Sequence, residues 1–138
     1  MSPLDREVLA ERTAAVERHL RRVAERLPAR PDELEPSSDA SDAVVLHLWQ
    51  ATQTVIALAL AVCLESIWGR RPYADASRRL AAAGRLPEDL ATRLALAAGF
   101  RNVVAHAYDK LNMTRVHRAA SQGPADLRAF LRMVRELT

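Results

Sequence analysis

Between Phe100 and Asp109 the chain reads FRNVVAHAYD, so an arginine, an asparagine, a histidine, a tyrosine and an aspartate crowd into one short stretch, with small apolar residues between them. Imidazole is the side chain that both takes and gives a proton near neutral pH. A guanidinium stays charged and grips a phosphate at two oxygens. Together they suit phosphodiester chemistry, with His106 moving protons and Arg101 holding the charge that builds on phosphorus. Asn102, beside them, can fix the imidazole tautomer or bind the substrate. The plain alternative is a solvated helix face that ends in a loop.

The stretch reads as helix. At about 100° per residue with Arg101 at zero, Tyr108 falls at about −20°, Asp109 at about 80°, Asn102 at about 100° and His106 at about 140°. Phe100, Val103, Val104 and Ala107 fall on the opposite side. Ala105 is the one non-polar residue inside the polar arc and leaves an open floor there. Asn102 and His106 are one turn apart and can touch. Arg101 and His106 converge only through the length of the arginine, or through a break in the helix near His106. The following DKLN supports such a break.

Rival chemistries lack their residues. There is no H-E-x-x-H, no C-x-x-C and no G-x-x-x-x-G-K loop, and the other histidines, His19, His47 and His117, lie far apart in the chain. These three are expected to be surface or satisfied core groups. No metal and no cofactor is expected. Hydrolysis would then be metal-independent, and RNA is its natural substrate, because the 2′-hydroxyl supplies an internal nucleophile.

The elements that must position this stretch follow from apolar periodicity. A first helix is expected over 4–27, with Leu4, Val8, Leu9, Val16, Leu20, Val23 and Leu27 at three- and four-residue steps. Pro28, Pro31 and Pro36 make the next segment a connector. SDASDA offers N-caps for a second helix from about Ser41 to Trp68, apolar nearly all round from Val55 to Leu64 and so central. Gly69 and Pro72 frame a turn, and a short helix over 73–84 closes at Gly84. Pro87, Glu88 and Asp89 open the helix that carries the polar stretch. Asn112 or Thr114 caps a last helix running to about Leu137, with an interruption expected at Gly123–Pro124. Short links between four to five helices predict an all-α, up-and-down bundle.

The 138 residues suit one domain over 1–138. Aromatic residues are only 4%, which argues against strands. A net charge of +3 permits a nucleic-acid partner without demanding one. The pairs Arg21–Arg22, Arg70–Arg71 and Arg78–Arg79 would either guide RNA or simply solubilise. Cys63 is the one cysteine, read as buried, and excludes an intrachain disulfide. No apolar leader is visible, and the apolar run from Val55 to Leu64 falls short of the about 20 residues that span a bilayer. A cytoplasmic protein is expected. Ala91, Ala95, Ala98 and Gly99 permit close approach of a second helix, from this bundle or from another copy.

RNVVAHAY matches R-x-x-x-x-H-x-Y, and with it the chain resembles the HEPN domains of the HepT type, toxins of type VII-like HEPN–MNT toxin–antitoxin systems. The capped GRLPEDLATRLALAAGFRNVVAHAYDKLN, the apolar second helix and the amphipathic last helix extend the likeness over most of the chain. The resemblance implies a HEPN-type bundle, a homodimer with two motifs facing across a cleft, and a metal-independent endoribonuclease. Arg101 and His106 would be catalytic and Asn102 would assist. Tyr108 would be the residue that an MNT-type nucleotidyltransferase antitoxin modifies with AMP to silence the toxin. The family often carries an acid a few residues after the tyrosine. Here that position is Asn112, and Asp109 either takes the role or the position only caps the last helix. A non-catalytic HEPN subunit that presents nucleotide or substrate to a nucleotidyltransferase is the alternative.

Overall fold

Four helices make up the residues that the computed structural model describes, 6–65 and 87–137: α1 (Arg6–Arg26), α2 (Asp39–Glu65), α3 (Glu88–Ala107) and α4 (Met113–Leu137). No strand occurs among the described residues, so the chain is all-α as its composition predicts. The short helix expected over 73–84, its bounding Gly69, Pro72 and Gly84, and the arginine pairs at 70–71 and 78–79 lie outside the described residues.

α1 forms where Leu9, Val16, Leu20 and Val23 recur on one face, and all four are buried. It ends ahead of Pro28, and a 3-10 turn at Pro31–Glu33 carries the chain round to Leu34, which is buried again. α2 begins at Asp39, two residues ahead of the expected start. Ser38 and Ser41 set that start: Ser38 Oγ accepts the Ser41 N–H at 3.1 Å and Ser41 Oγ accepts the Ser38 N–H at 3.0 Å. Two orphan donors of the helix end are thereby satisfied reciprocally.

α2 is the central helix, packing against α1, α3 and α4, while the backbones of α1 and α3 do not approach one another closely among the described residues. Val44, Val45, Leu48, Ala51, Val55, Leu58 and Ala59 bury its several faces. The buried Thr52 avoids an unsatisfied hydroxyl by donating to the Leu48 carbonyl at 2.8 Å.

α3 opens after Pro87 with Glu88 and Asp89 in its first turn. Arg93 donates to Asp89 at 3.2 Å and to Asp126 on α4 at 2.8 Å, which pins α3 to α4. That donation holds the Asp89 carboxyl below its ordinary range.

Asn112 caps α4, its Oδ1 accepting the Arg115 N–H at 3.1 Å. α4 then runs unbroken through Gly123 and Pro124, where an interruption was expected. A proline inside a helix costs about 3 kcal/mol or more. Val116, Ala120, Leu127, Phe130, Leu131 and Val134 form one apolar stripe on both sides of it, and burying the whole stripe outweighs the lost bond.

His117 is a satisfied core histidine, buried with Nε2 at 2.8 Å from the Pro28 carbonyl. His19 and His47 are partly buried and satisfy one another: they pair between α1 and α2 with Nδ1 atoms 2.9 Å apart. No helix among the described residues is long and apolar enough to cross a membrane.

Candidate active site

The helix break that the sequence places near His106 comes one residue after it. Ala107, at φ −143° and ψ 39°, leaves helical geometry, and Tyr108–Lys110 forms a 3-10 turn. Arg101 and His106 therefore both stand on regular helix. They are separated by about 140° around the axis and about 7.5 Å along it. No hydrogen bond links them among the described residues.

Arg101 turns toward α2. Its Nε donates to Gln53 Oε1 at 2.8 Å and its Nη1 donates to Asn102 Oδ1 at 3.0 Å. Both acceptors are neutral amide oxygens. The guanidinium is thus oriented without being neutralised, and its remaining N–H groups keep their charge for an anion. Asn102 spends its oxygen on Arg101 and not on His106.

His106 is exposed and makes no hydrogen bond among the described residues. Leu96, Gly99, Val103 and His106 follow at three- and four-residue steps and so share one face of α3. Leu96 is 69% exposed and Val103 49% exposed. A Cβ built on Gly99 would meet nothing within 4 Å. The placing of Val103 on the apolar side of the wheel is thereby corrected. The core takes Val104 and part of Phe100, and the edge of the apolar arc faces outward.

The ideal wheel, which sets Tyr108 beside Arg101, stops applying at Ala107. The phenol reaches the first turn of α2, where its hydroxyl donates to Asp42 Oδ1 at 2.6 Å, and the residue is 45% exposed. A cavity of about 280 Å³ opens beside it, lined by Pro36, Ser37, Ser41, Leu111 and Met113. Another of about 360 Å³ is lined by Leu46, Trp49, Val104 and Ala105. Asp42, Val45 and Tyr108 belong to both. Ala105 does form an open floor, but against Tyr108 and α2. The side chain of Asp109 lies outside the described residues.

Gln53 and Asp42 are the partners that the sequence did not offer. They lie 48 and 66 positions from Arg101 and Tyr108, and Asp42 reads locally as a helix cap. The one local signal is the polar run Gln50, Thr52, Gln53 and Thr54 in an otherwise apolar helix. Among the described residues no group of three or more metal-binding side chains converges.

Residues 16–134 match the family model described as "Ribonuclease HepT-like". The chain is also similar to solved structures. One is the tri-AMPylated HEPN toxin of Shewanella oneidensis in complex with its MNT antitoxin: 19% identity over 94% of this chain and 97% of that one, TM-score 0.82. Another is a toxin–antitoxin complex with AMP-PNP: 18% identity over 94% and 98%, TM-score 0.83. No curated protein matches in sequence.

Proposed function

We propose, from the premise that this chain belongs to the HepT-like ribonuclease family, that it is the toxin of a HEPN–MNT toxin–antitoxin pair and a metal-independent endoribonuclease. The observation that carries the reading is the state of its two reactive groups. Arg101 is oriented by neutral oxygens and keeps its charge, and His106 stands exposed with its ring uncommitted among the described residues. A helix that only fills space has no use for either.

The two groups point to different sides of α3, so one chain alone makes an incomplete site. The exposed apolar face of Leu96, Gly99 and Val103 suits a second copy, and His106 lies on that face. A homodimer would carry each His106 toward the partner and set two imidazoles and two guanidiniums around one cleft. One imidazole takes the proton of the RNA 2′-hydroxyl. The oxygen attacks the adjacent phosphorus, and the bond to the 5′-oxygen breaks. The leaving oxygen takes a proton from solvent, so one imidazole suffices at each scissile phosphate. Arg101 holds the charge that develops on the phosphoryl oxygens. The products are a 2′,3′-cyclic phosphate and a free 5′-hydroxyl.

Regulation rests on the relatives. A solved relative is named as a tri-AMPylated toxin bound to its antitoxin, and Tyr108 is the exposed tyrosine of the motif in this chain. An MNT-type nucleotidyltransferase that esterifies Tyr108 with AMP would add bulk and negative charge just past the end of the helix that carries Arg101 and His106, and bar RNA. The purified chain, incubated with RNA in excess chelator, is expected to cleave it and leave cyclic phosphate ends. Intact RNA after treatment with enzyme-sized excess would leave the non-catalytic subunit as the better reading.

A further inference from the structure

We infer that Asp42 orients the Tyr108 phenol for nucleotidyl transfer and takes its proton as the bond to phosphorus forms. This rests on the reading above, in which Tyr108 receives AMP.

The hydrogen bond from the Tyr108 hydroxyl to Asp42 Oδ1 is 2.6 Å, the length of a charge-assisted O–H···O⁻ bond. It joins residues from two elements, the 3-10 turn after α3 and the first turn of α2. Asp42 lies in the first turn of α2, and its Oδ1 is the acceptor of this bond. Tyr108 is the one other titratable side chain lining either adjoining cavity among the described residues. The residue remains 45% exposed, so it stays open to an incoming enzyme.

The chemistry balances with a nucleoside triphosphate supplied by the nucleotidyltransferase. The phenolic oxygen attacks the α-phosphorus and a new O–P bond forms. The bond from that phosphorus to the bridging oxygen breaks, and pyrophosphate leaves with the electron pair. A free phenol, of pKa about 10, is a weak nucleophile at neutral pH. Its proton turns acidic as the O–P bond forms, and a carboxylate already bonded to it takes the proton without rearrangement. The aspartate of a protein-kinase catalytic loop accepts a hydroxyl proton in the same way. Here the acceptor belongs to the protein being modified. The ester formed has no hydrogen to donate, and once Asp42 passes its proton to solvent the anionic phosphate faces a carboxylate, so the product leaves Asp42.

The test follows AMP addition by intact mass, with the MNT-type antitoxin and ATP acting on the full chain. Tyr108→Phe, Asp42→Asn and Asp42→Glu variants are compared, each checked by thermal melting for an intact fold. Wild type gains AMP and Tyr108→Phe gains none. Asp42→Asn is expected to lose kcat by about a hundredfold, the usual scale for a lost general base, with the KM for ATP little changed. Its residual rate should climb with pH toward the ionisation of the phenol, while the wild-type profile stays flatter. Asp42→Glu, which keeps the carboxylate, should recover much of the loss. An Asp42→Asn chain modified at the wild-type rate across that pH range overturns the role of Asp42 and leaves the Tyr108 reading intact. A wild-type chain that gains no AMP, or a Tyr108→Phe chain that still gains it, overturns the Tyr108 reading and this inference with it.

Discussion

Arg101 owes its aim to two amide oxygens, and the one on α2 is the more telling. A guanidinium on an exposed helix samples many rotamers, and fixing it in advance saves that entropy at the moment of reaction. Gln53→Ala removes one donor–acceptor pair and leaves the charge. We expect RNA cleavage to fall about tenfold, near the 1.4 kcal/mol that one oriented hydrogen bond can supply. Steady-state cleavage by the folded variant measures this, and an unchanged rate would detach Gln53 from the site. At this scale the sequence was legible in part. Residue type and spacing single out Arg101, Asn102 and His106 as candidates, because the proposed chemistry is local. Gln53 and Asp42 are brought in by tertiary packing, and a glutamine in a buried helix or an aspartate in a first turn each has a sufficient local explanation.

At the scale of elements, caps and periodicity predicted most of what forms, and competition between terms decided the rest. Asn112 caps α4 as its position suggested. Pro124 failed to break α4 because an unbroken apolar stripe outweighs one missing donor. The end of α3 fell after His106, which set the Tyr108 hydroxyl against Asp42 of α2 and left Arg101 and His106 on different sides of α3. The pairing of α1 with α2 also placed His19 against His47, 28 positions away, which no pattern in the chain announces. His19 is held below the ordinary histidine range, by burial first, then by His47 and Arg18. The folded chain therefore resists a proton that the unfolded chain accepts. Stability should be full above about pH 6.5, the ordinary imidazole value, and decline as pH falls through the lowered one. Asp89, a carboxylate lowered from 3.8, acts only in a more acidic range. Denaturant midpoints taken between pH 7.5 and 5 should fall for the wild type and flatten for His19→Gln. A wild-type midpoint indifferent to this range would mean that the pair carries no strain on protonation.

The whole molecule is a bundle whose core runs through all four described helices, from Leu9 and Val16 through Val44, Val55 and Leu94 to Phe130 and Val134. That the chain is helical and layered round its second helix was readable from composition and from the apolar stretch after Val55. How it completes a site was not, because helical periodicity cannot say whether a small-residue face meets its own bundle or another copy. The structure divides that face: Ala91 is buried and Ala98 packs against the core, while Gly99 is left outside, next to the exposed Leu96, Val103 and His106. Our account joins Arg101 and His106 only through a second copy, and this can be measured directly. Arg101→Ala and His106→Ala chains are co-expressed with different tags, the mixed dimer is isolated, and its rate of RNA cleavage is compared with each parent and with wild type. We predict inert parents and a mixed dimer that cleaves, since one of its two Arg101–His106 combinations remains whole. Full activity in either parent, or a mixed dimer as inert as both, would contradict the account.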